Sequence, residues 1–469
     1  MERSTAGPAP PGRDAAHQRL ARALRSAFGA PWAGELRAQH GPATAALADA
    51  RARKLTITAA IAQAQLAAAI GADDDVDGAT RARNSAAMLL ARVPSAPPQE
   101  RLDALLWLGL VDWSVLGDVR AARDRLARAA VLARGDEHAE IALATLAIRA
   151  LASAVAGDLP GAATTAREAV AVARASGDAA LLTLALAAQT IQRTVHAELT
   201  GALKAGEELL ALRPHAADPG EFDAIAAWAV APALLDSGQP ERCAELLLPA
   251  TTVERLALLL PQARAVLLHT RVRLALERRD EDDAHRQLAL LEAVGFARTP
   301  FGAALTGCTA AFVALADDRP LNAEVHATAA AEAARRAPSR LLELGATRLA
   351  GAAQAALGAP EVAAERFAEA EQIARSIGAH ARAELAAHER RALGGGVGHD
   401  APTAADYGLT PRQLEIAQLV ASGRTNREVA TTLGISEHTV NTHLRVAFAR
   451  LGVTRRTALA SALQQRASA

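Results

Sequence analysis

Between Gly41 and Leu393 the chain reads as one apolar helical stretch after another, cut by short turns that recur at a nearly fixed interval. Gly117-Asp118, Gly157-Asp158, Gly201, Gly238-Gln239-Pro240, Arg279-Asp280, Asp317-Asp318 and Gly358-Ala359-Pro360 each follow one helix and precede another, 37 to 44 residues apart. A period of about 40 residues matches two helices and two turns per unit, within the range of stacked two-helix repeats. This recurrence constrains the fold more than any other feature. A pair of amphipathic helices cannot bury its apolar faces alone, so each unit has to be covered by the next. Sustained strand alternation is absent, and the class expected is all-α.

Composition agrees with close helix packing. Aromatic residues make up only 3% of the 469, and alanine dominates the apolar half. Alanine is the best helix former and lets helices approach closely. Small residues recur near the start of the second helix of a unit, as in Ala121-Ala122-x-x-x-Leu126, Ala162-Ala163-x-x-Ala166 and Ala363-Ala364-x-x-Phe367. With Trp107-Leu108-Gly109, these features make residues 41–391 similar to tetratricopeptide-like repeats, although the period exceeds the usual length of about 34. An irregular all-helical domain is the alternative. Trp107, Trp113 and Trp228 read as core residues or as the lining of a concave groove.

The remaining stretches bound the function. Residues 1–40 read as a partly disordered leader with no signal-peptide order, and residues 392–406, with Gly394-Gly395-Gly396, as a flexible linker. No apolar run reaches membrane length, and Leu55–Ala72 is broken by Gln63 and Gln65. Cys243 and Cys308 stand far apart without ligand spacing, as buried thiols of a cytoplasmic protein would. Neither Lys54 nor Lys204 follows a phosphate-cradling glycine loop, so neither ATP hydrolysis nor any other catalysis is expected. Asp73-x-Asp75-x-Asp77-Gly78 matches half of a calcium loop, but Asn84 stands where the bidentate glutamate belongs. A solvated turn is the expectation there and at Asp280-Glu281-Asp282-Asp283, and the histidines lack paired ligand spacing. Neither a metal nor a cofactor is expected.

Residues 407–469 differ in kind. Eight arginines against three acids give this tail a net charge of +5, which leaves −5 on the rest of the chain. Thr410-Pro411-Arg412-Gln413 and Thr425-Asn426-Arg427-Glu428 both read as helix starts with capping boxes, and a third helix follows Ser436. Gly423, Gly434 and Gly452 mark the ends. At 100° per residue, Val440, Leu444, Ala447, Phe448 and Leu451 form one stripe of the third helix, and His438, Asn441, Thr442, Arg445 and Ala449 form another. The second stripe carries a cation, an amide and a hydroxyl without an acid. Such a face suits the major groove of DNA, where arginine pairs with guanine O6/N7 and asparagine with adenine N6/N7.

The pattern Leu409-Thr410-x-Arg412-x-x-Glu415-Ile416, Gly423-x-x-Asn426-Arg427-Glu428-Val429-Ala430, Leu433-x-Ile435-Ser436-x-x-Thr439-Val440-x-x-His443-Leu444 and Arg450-Leu451-x-Val453 resembles the LuxR-type helix-turn-helix domain of bacterial transcription regulators. The resemblance implies base reading by Asn441, Thr442 and Arg445, joined on the same face by His438. It implies phosphate contacts from Thr425, Asn426, Arg427 and Thr439. Two positions depart from the family's habit: Gln413 replaces a usual Glu, and Asn441 replaces a common Lys. His443 reads as a packed, hydrogen-bonded histidine. A fourth helix over residues 455–465 carries Ala458, Leu459, Ala462 and Leu463, one face of which, by the resemblance, joins two tails on DNA. A helix that merely closes a monomeric domain is the alternative.

Helical repeats followed by such a tail resemble the C-terminal part of the large ATP-binding LuxR-family regulators without their ATPase domain. The implied function is transcription regulation. Double-stranded promoter DNA, a second copy of the chain and RNA polymerase are the expected partners, with a small-molecule or protein effector at the repeats. The alternative is a helical-repeat interaction scaffold with weak nucleic-acid binding.

Overall fold

The computed structural model of the protein describes residues 36–133, 139–216, 219–257, 259–394, 407–421, 424–433 and 437–451, with positions 453, 459, 462 and 463. The array contains, in order, α1 (His40–Ala52), α2 (Thr56–Ala72), α3 (Val76–Ala91), α4 (Pro98–Val111), α5 (Val119–Leu132), α6 (Ala139–Ala156), α7 (Leu159–Ser176), α8 (Ala179–Val195), α9 (Leu199–Leu210), α10 (Pro219–Asp236) and α11 (Pro240–Ala250). It continues with α12 (Val253–Ala257), α13 (Pro261–Glu277), α14 (Glu281–Ala293), α15 (Pro300–Ala316), α16 (Pro320–Arg336), α17 (Arg340–Ala356), α18 (Pro360–Ser376) and α19 (His380–Gly394). The tail holds α20 (Pro411–Ala421), α21 (Asn426–Leu433) and α22 (Glu437–Leu451). Among the described residues there is no strand. Most of the leader and of the 392–406 linker lies outside them, but Leu36 is buried and Arg37 bonds to the Ala72 carbonyl, so the array reaches back at least to residue 36.

From α4 onward the helices form pairs whose second members begin at Val119, Leu159, Leu199, Pro240, Glu281, Pro320 and Pro360, 39 to 41 residues apart. Helices pack on their neighbours and on the next but one, as α15 does on α16 and α17. The spacing is more even than the sequence reading made it, because the turn assigned to Gly201 falls elsewhere. Gly201 lies inside α9, and Ala197, at φ 61°, takes the left-handed position of that turn. Gly117, Gly157, Gly238, Arg279, Asp318 and Gly358 hold the equivalent positions, all at positive φ. Aspartate or proline then starts the next helix: Asp118, Asp158 and Asp280 accept amide hydrogen bonds, and Pro240, Pro320 and Pro360 stand where no amide proton is needed.

Within a pair, small and large residues are matched. Leu126 of α5 packs over Gly109 of α4, and Phe367 of α18 over Gly351 of α17; a β-carbon on either glycine would collide with that side chain. Of the alanine pairs read in the sequence, Ala122, Ala162 and Ala363 are fully buried, whereas Ala121, Ala163 and Ala364 are half-exposed. Trp107, Trp113 and Trp228 are all buried in the core. Both cysteines are buried free thiols, and burial pushes each up to about 12.

The array folds back on itself. Ser339, at the start of α17, donates to the Val155 carbonyl of α6 at 3.2 Å, and Arg382 of α19 donates to the Val195 carbonyl of α8 at 3.1 Å. Leu344, Ile373 and Ile377 share an apolar cluster with Ala154, Leu159 and Ala162. A second contact between distant helices engages the acids after α2. Asp75 caps α3 through the Gly78 amide at 2.8 Å, while Asp73, Asp74 and Asp77 pair with Arg37, Arg264 and Arg298. Two of those partners come from α13 and the turn before α15, so the run is a structural junction. Among the described residues no group of acids, histidines or cysteines is placed to hold a metal ion.

Candidate nucleic-acid interface

The tail is a small apolar core with a polar rim. Leu409, Ile416, Ala417, Val429, Val440 and Ala447 are essentially inaccessible and bring α20 and α21 against α22. Both capping boxes form. The Gln413 amide proton is donated to the Thr410 hydroxyl at 3.2 Å, and the Thr410 amide proton to Gln413 Oε1 at 3.1 Å. Thr425 and Glu428 repeat the exchange at 3.3 and 2.7 Å. Gln413 thus performs the reciprocal bond expected of a glutamate, since its side-chain carbonyl accepts equally well. Gly423, Gly434, Ser436 and Gly452 lie outside the described residues.

Two arginines of the motif, to which the sequence reading gave no role, hold the helices together. Arg412 binds Glu415 at 2.7 Å and the Leu433 carbonyl at 3.1 Å, tying α20 to the end of α21. Arg450, near the end of α22, reaches the Gly408 carbonyl at 2.9 Å. Both bonds satisfy backbone oxygens, which explains why cations occupy these positions.

On α22, Asn441 and Arg445 are exposed, Thr442 is half-exposed, and Val440, Leu444 and Ala447 are buried, so the two stripes separate as the 100° spacing requires. Thr425 and Arg427 are exposed, and Asn426 and Thr439 are half-exposed. His438 lies in the helix, although its side chain is outside the described set. One contact joins the two residue groups: Asn426 Nδ2 donates to Asn441 Oδ1 at 2.6 Å. The bond engages the side-chain carbonyl of Asn441.

His443 is buried, and its ring makes no hydrogen bond among the described residues, which corrects the expectation of a bonded histidine. Desolvation, with a smaller contribution from Arg412, lowers its pKa and keeps the ring neutral. The ring lies against Gly238, the left-handed residue between α10 and α11, where a β-carbon would collide with it. Leu199 of α9 joins the apolar cluster of the tail. The tail therefore rests on the array, through contacts that no motif in the sequence announced.

Leu459 and Leu463 are also corrected. Both are buried in the tail's own cluster, Leu459 completely, so they close its core and are not available as a free face. An apolar domain this small needs every large side chain it has for its interior. Ala462 is half-exposed, and Ala458 lies outside the described residues.

Residues 408–463 match the family of bacterial regulatory proteins described as the luxR family. The chain is 46% identical over 46 residues to the transcriptional regulatory protein MctR of Rhizobium johnstonii, a stretch covering 10% of this chain and 22% of that protein. It is 41% identical over 59 residues to the uncharacterized transcriptional regulatory protein YhcZ of Bacillus subtilis, covering 13% and 28%. The chain thus spans about a quarter of the length of these relatives. With two capped helices packed beneath a third that exposes a polar stripe, residues 408–463 are a LuxR-family helix-turn-helix domain at the end of an all-helical array.

Proposed function

We propose that the protein is a DNA-binding transcriptional regulator of the cytoplasm whose tail reads promoter DNA in the major groove and whose array senses an effector or a partner protein. The observation that carries this reading is the row of exposed Asn441 and Arg445 with half-exposed Thr442 on a helix fixed by a packed core. Arg445 suits guanine O6/N7. Because Asn426 occupies the Asn441 carbonyl, the amino group of Asn441 is better disposed to donate to an acceptor than to pair bidentately with adenine. His438 completes the reading face, and Thr425, Asn426, Arg427 and Thr439 serve the phosphates.

Dimerisation on paired half-sites remains part of the proposal, with the Ala458 and Ala462 side of the last helix as its face. RNA polymerase would be the partner of an activating form. The docking of the tail supports a restraint role for the array. His443 lies on the buried side of α22, away from the Asn441, Thr442 and Arg445 stripe, and the Gly238 turn stands against it. The contact would hold the tail in one orientation on the array, and its release would free the tail to align with a duplex.

A salt-dependent gel shift of the full chain on DNA from its own upstream region tests the reading. Binding at least roughly a thousandfold tighter than to random duplex supports it. Equal affinity for both would leave an interaction scaffold with accessory nucleic-acid contact.

A further inference from the structure

A cavity of about 250 Å³ opens between the end of α3, one face of α4 and the middle of α5. On α4, Arg101, Leu105 and Leu108 follow one another on a single helical stripe, and on α5 Arg125 and Arg128 stand one turn apart. Leu90 closes the apolar side, and Leu90, Leu105 and Leu108 are buried. The lining therefore combines an aliphatic wall with three guanidinium groups and no carboxylate.

The arginines around this cavity are unevenly committed. Arg83 forms ion pairs with Asp112 at 3.1 Å and with Asp118 at 2.8 Å. Arg125 spends one amino group on Asp112, a fully buried carboxylate at the head of the π-helical turn Asp112–Leu116. That ion pair fixes a side chain that also lines the cavity. Short π-helical segments of this kind are frequent at functional sites. Arg101 and Arg128 make no ion pair or side-chain hydrogen bond among the described residues. Gathering three cations on one wall with a single shared carboxylate leaves an excess of positive charge that an anion would relieve.

We propose that this cavity binds a small organic anion, a carboxylate or phosphate monoester on a short aliphatic body. The head group would lie among Arg101, Arg125 and Arg128, and the body against Leu90, Leu105 and Leu108. Since a cavity of about 150 Å³ takes the six carbons of benzene, this one has room for roughly ten non-hydrogen atoms. Octanoate has that size. The inference gives the effector of the proposed reading a place and a chemical class, and it rests on that reading only for its regulatory consequence. Binding is measured without DNA, so its failure would leave the DNA-binding reading standing.

Calorimetric titration of the full chain with octanoate, octyl phosphate, octanol and inorganic phosphate tests the site. One-to-one binding of octanoate or octyl phosphate is expected, with octanol and inorganic phosphate at least roughly tenfold weaker, the size expected for losing one charge-assisted hydrogen bond or the apolar contacts. Whichever anion binds tighter identifies the head group. The Arg101→Gln, Arg128→Gln double variant should bind at least about tenfold more weakly at an unchanged melting temperature. If that variant does not fold, Arg128→Gln alone, at an exposed side chain, gives the reading. The proposal is overturned if neither anion binds at millimolar concentration, if octanol binds as tightly as octanoate, or if the foldable variant keeps full affinity.

Discussion

Arg445 and Arg427 are both exposed cations of the tail, yet the proposed reading gives them different work. Replacing Arg445 by alanine should cost about 1–3 kcal/mol on the preferred duplex and relax the preference at one base pair. Replacing Arg427 should weaken binding to all sequences alike and lower the salt slope by roughly one. Competition titrations against single-base variants of the duplex separate the two; a uniform loss for Arg445→Ala would make it a phosphate contact. In the array, burial raises the Asp112 carboxyl to about 6, and Arg125 and Arg83 offset only part of that effect. Its folded pKa exceeds the ordinary 3.8, so its contribution to stability grows as pH falls through 6 and is complete below 4. Urea unfolding of the native protein and of Asp112→Asn should therefore diverge, in favour of the native chain, by about 1 kcal/mol per pH unit across that window. A difference independent of pH would contradict the assignment.

Gly238, between α10 and α11, and Leu459, near the end of the tail, each bear on how the tail is held. Gly238→Ala places a methyl group in the imidazole of His443 and strains a residue at φ 69°. The tail should come off the array, which limited proteolysis would report as faster cleavage between α19 and α20. DNA affinity should rise severalfold if docking restrains the tail; an unchanged cleavage rate would show that the contact holds nothing in place. Leu459→Ala should destabilise the tail by about 2–5 kcal/mol, as a buried leucine does, and a change in dimerisation at constant melting temperature would return Leu459 to an interface. The helical pairs and both capping boxes were legible in the sequence because glycine, aspartate, proline and hydroxyl residues act locally. Gly201 misled because Ala197, which is no glycine, took the left-handed turn position. Leu199, Gly238 and the closure of Ser339 on Val155 were illegible, since those contacts join segments with no shared pattern.

As a whole the molecule is a basic helix-turn-helix domain carried by an acidic, self-closing helical array, with +5 on the tail and −5 on the remainder. That layout suits a protein whose tail meets polyanionic DNA while its body avoids it. Removing residues 1–398 should leave a tail that binds DNA independently of any effector, and loss of all specific binding would make the array an assembly platform. The central claim is that the α22 stripe reads sequence. Selection of the full chain against a pool of randomised duplexes, repeated with the Asn441→Ala, Arg445→Ala variant, tests it most directly. The native chain should enrich a defined motif, and the variant should retain salt-sensitive binding without enrichment. No enrichment by the native chain, or the same motif from both proteins, would contradict it.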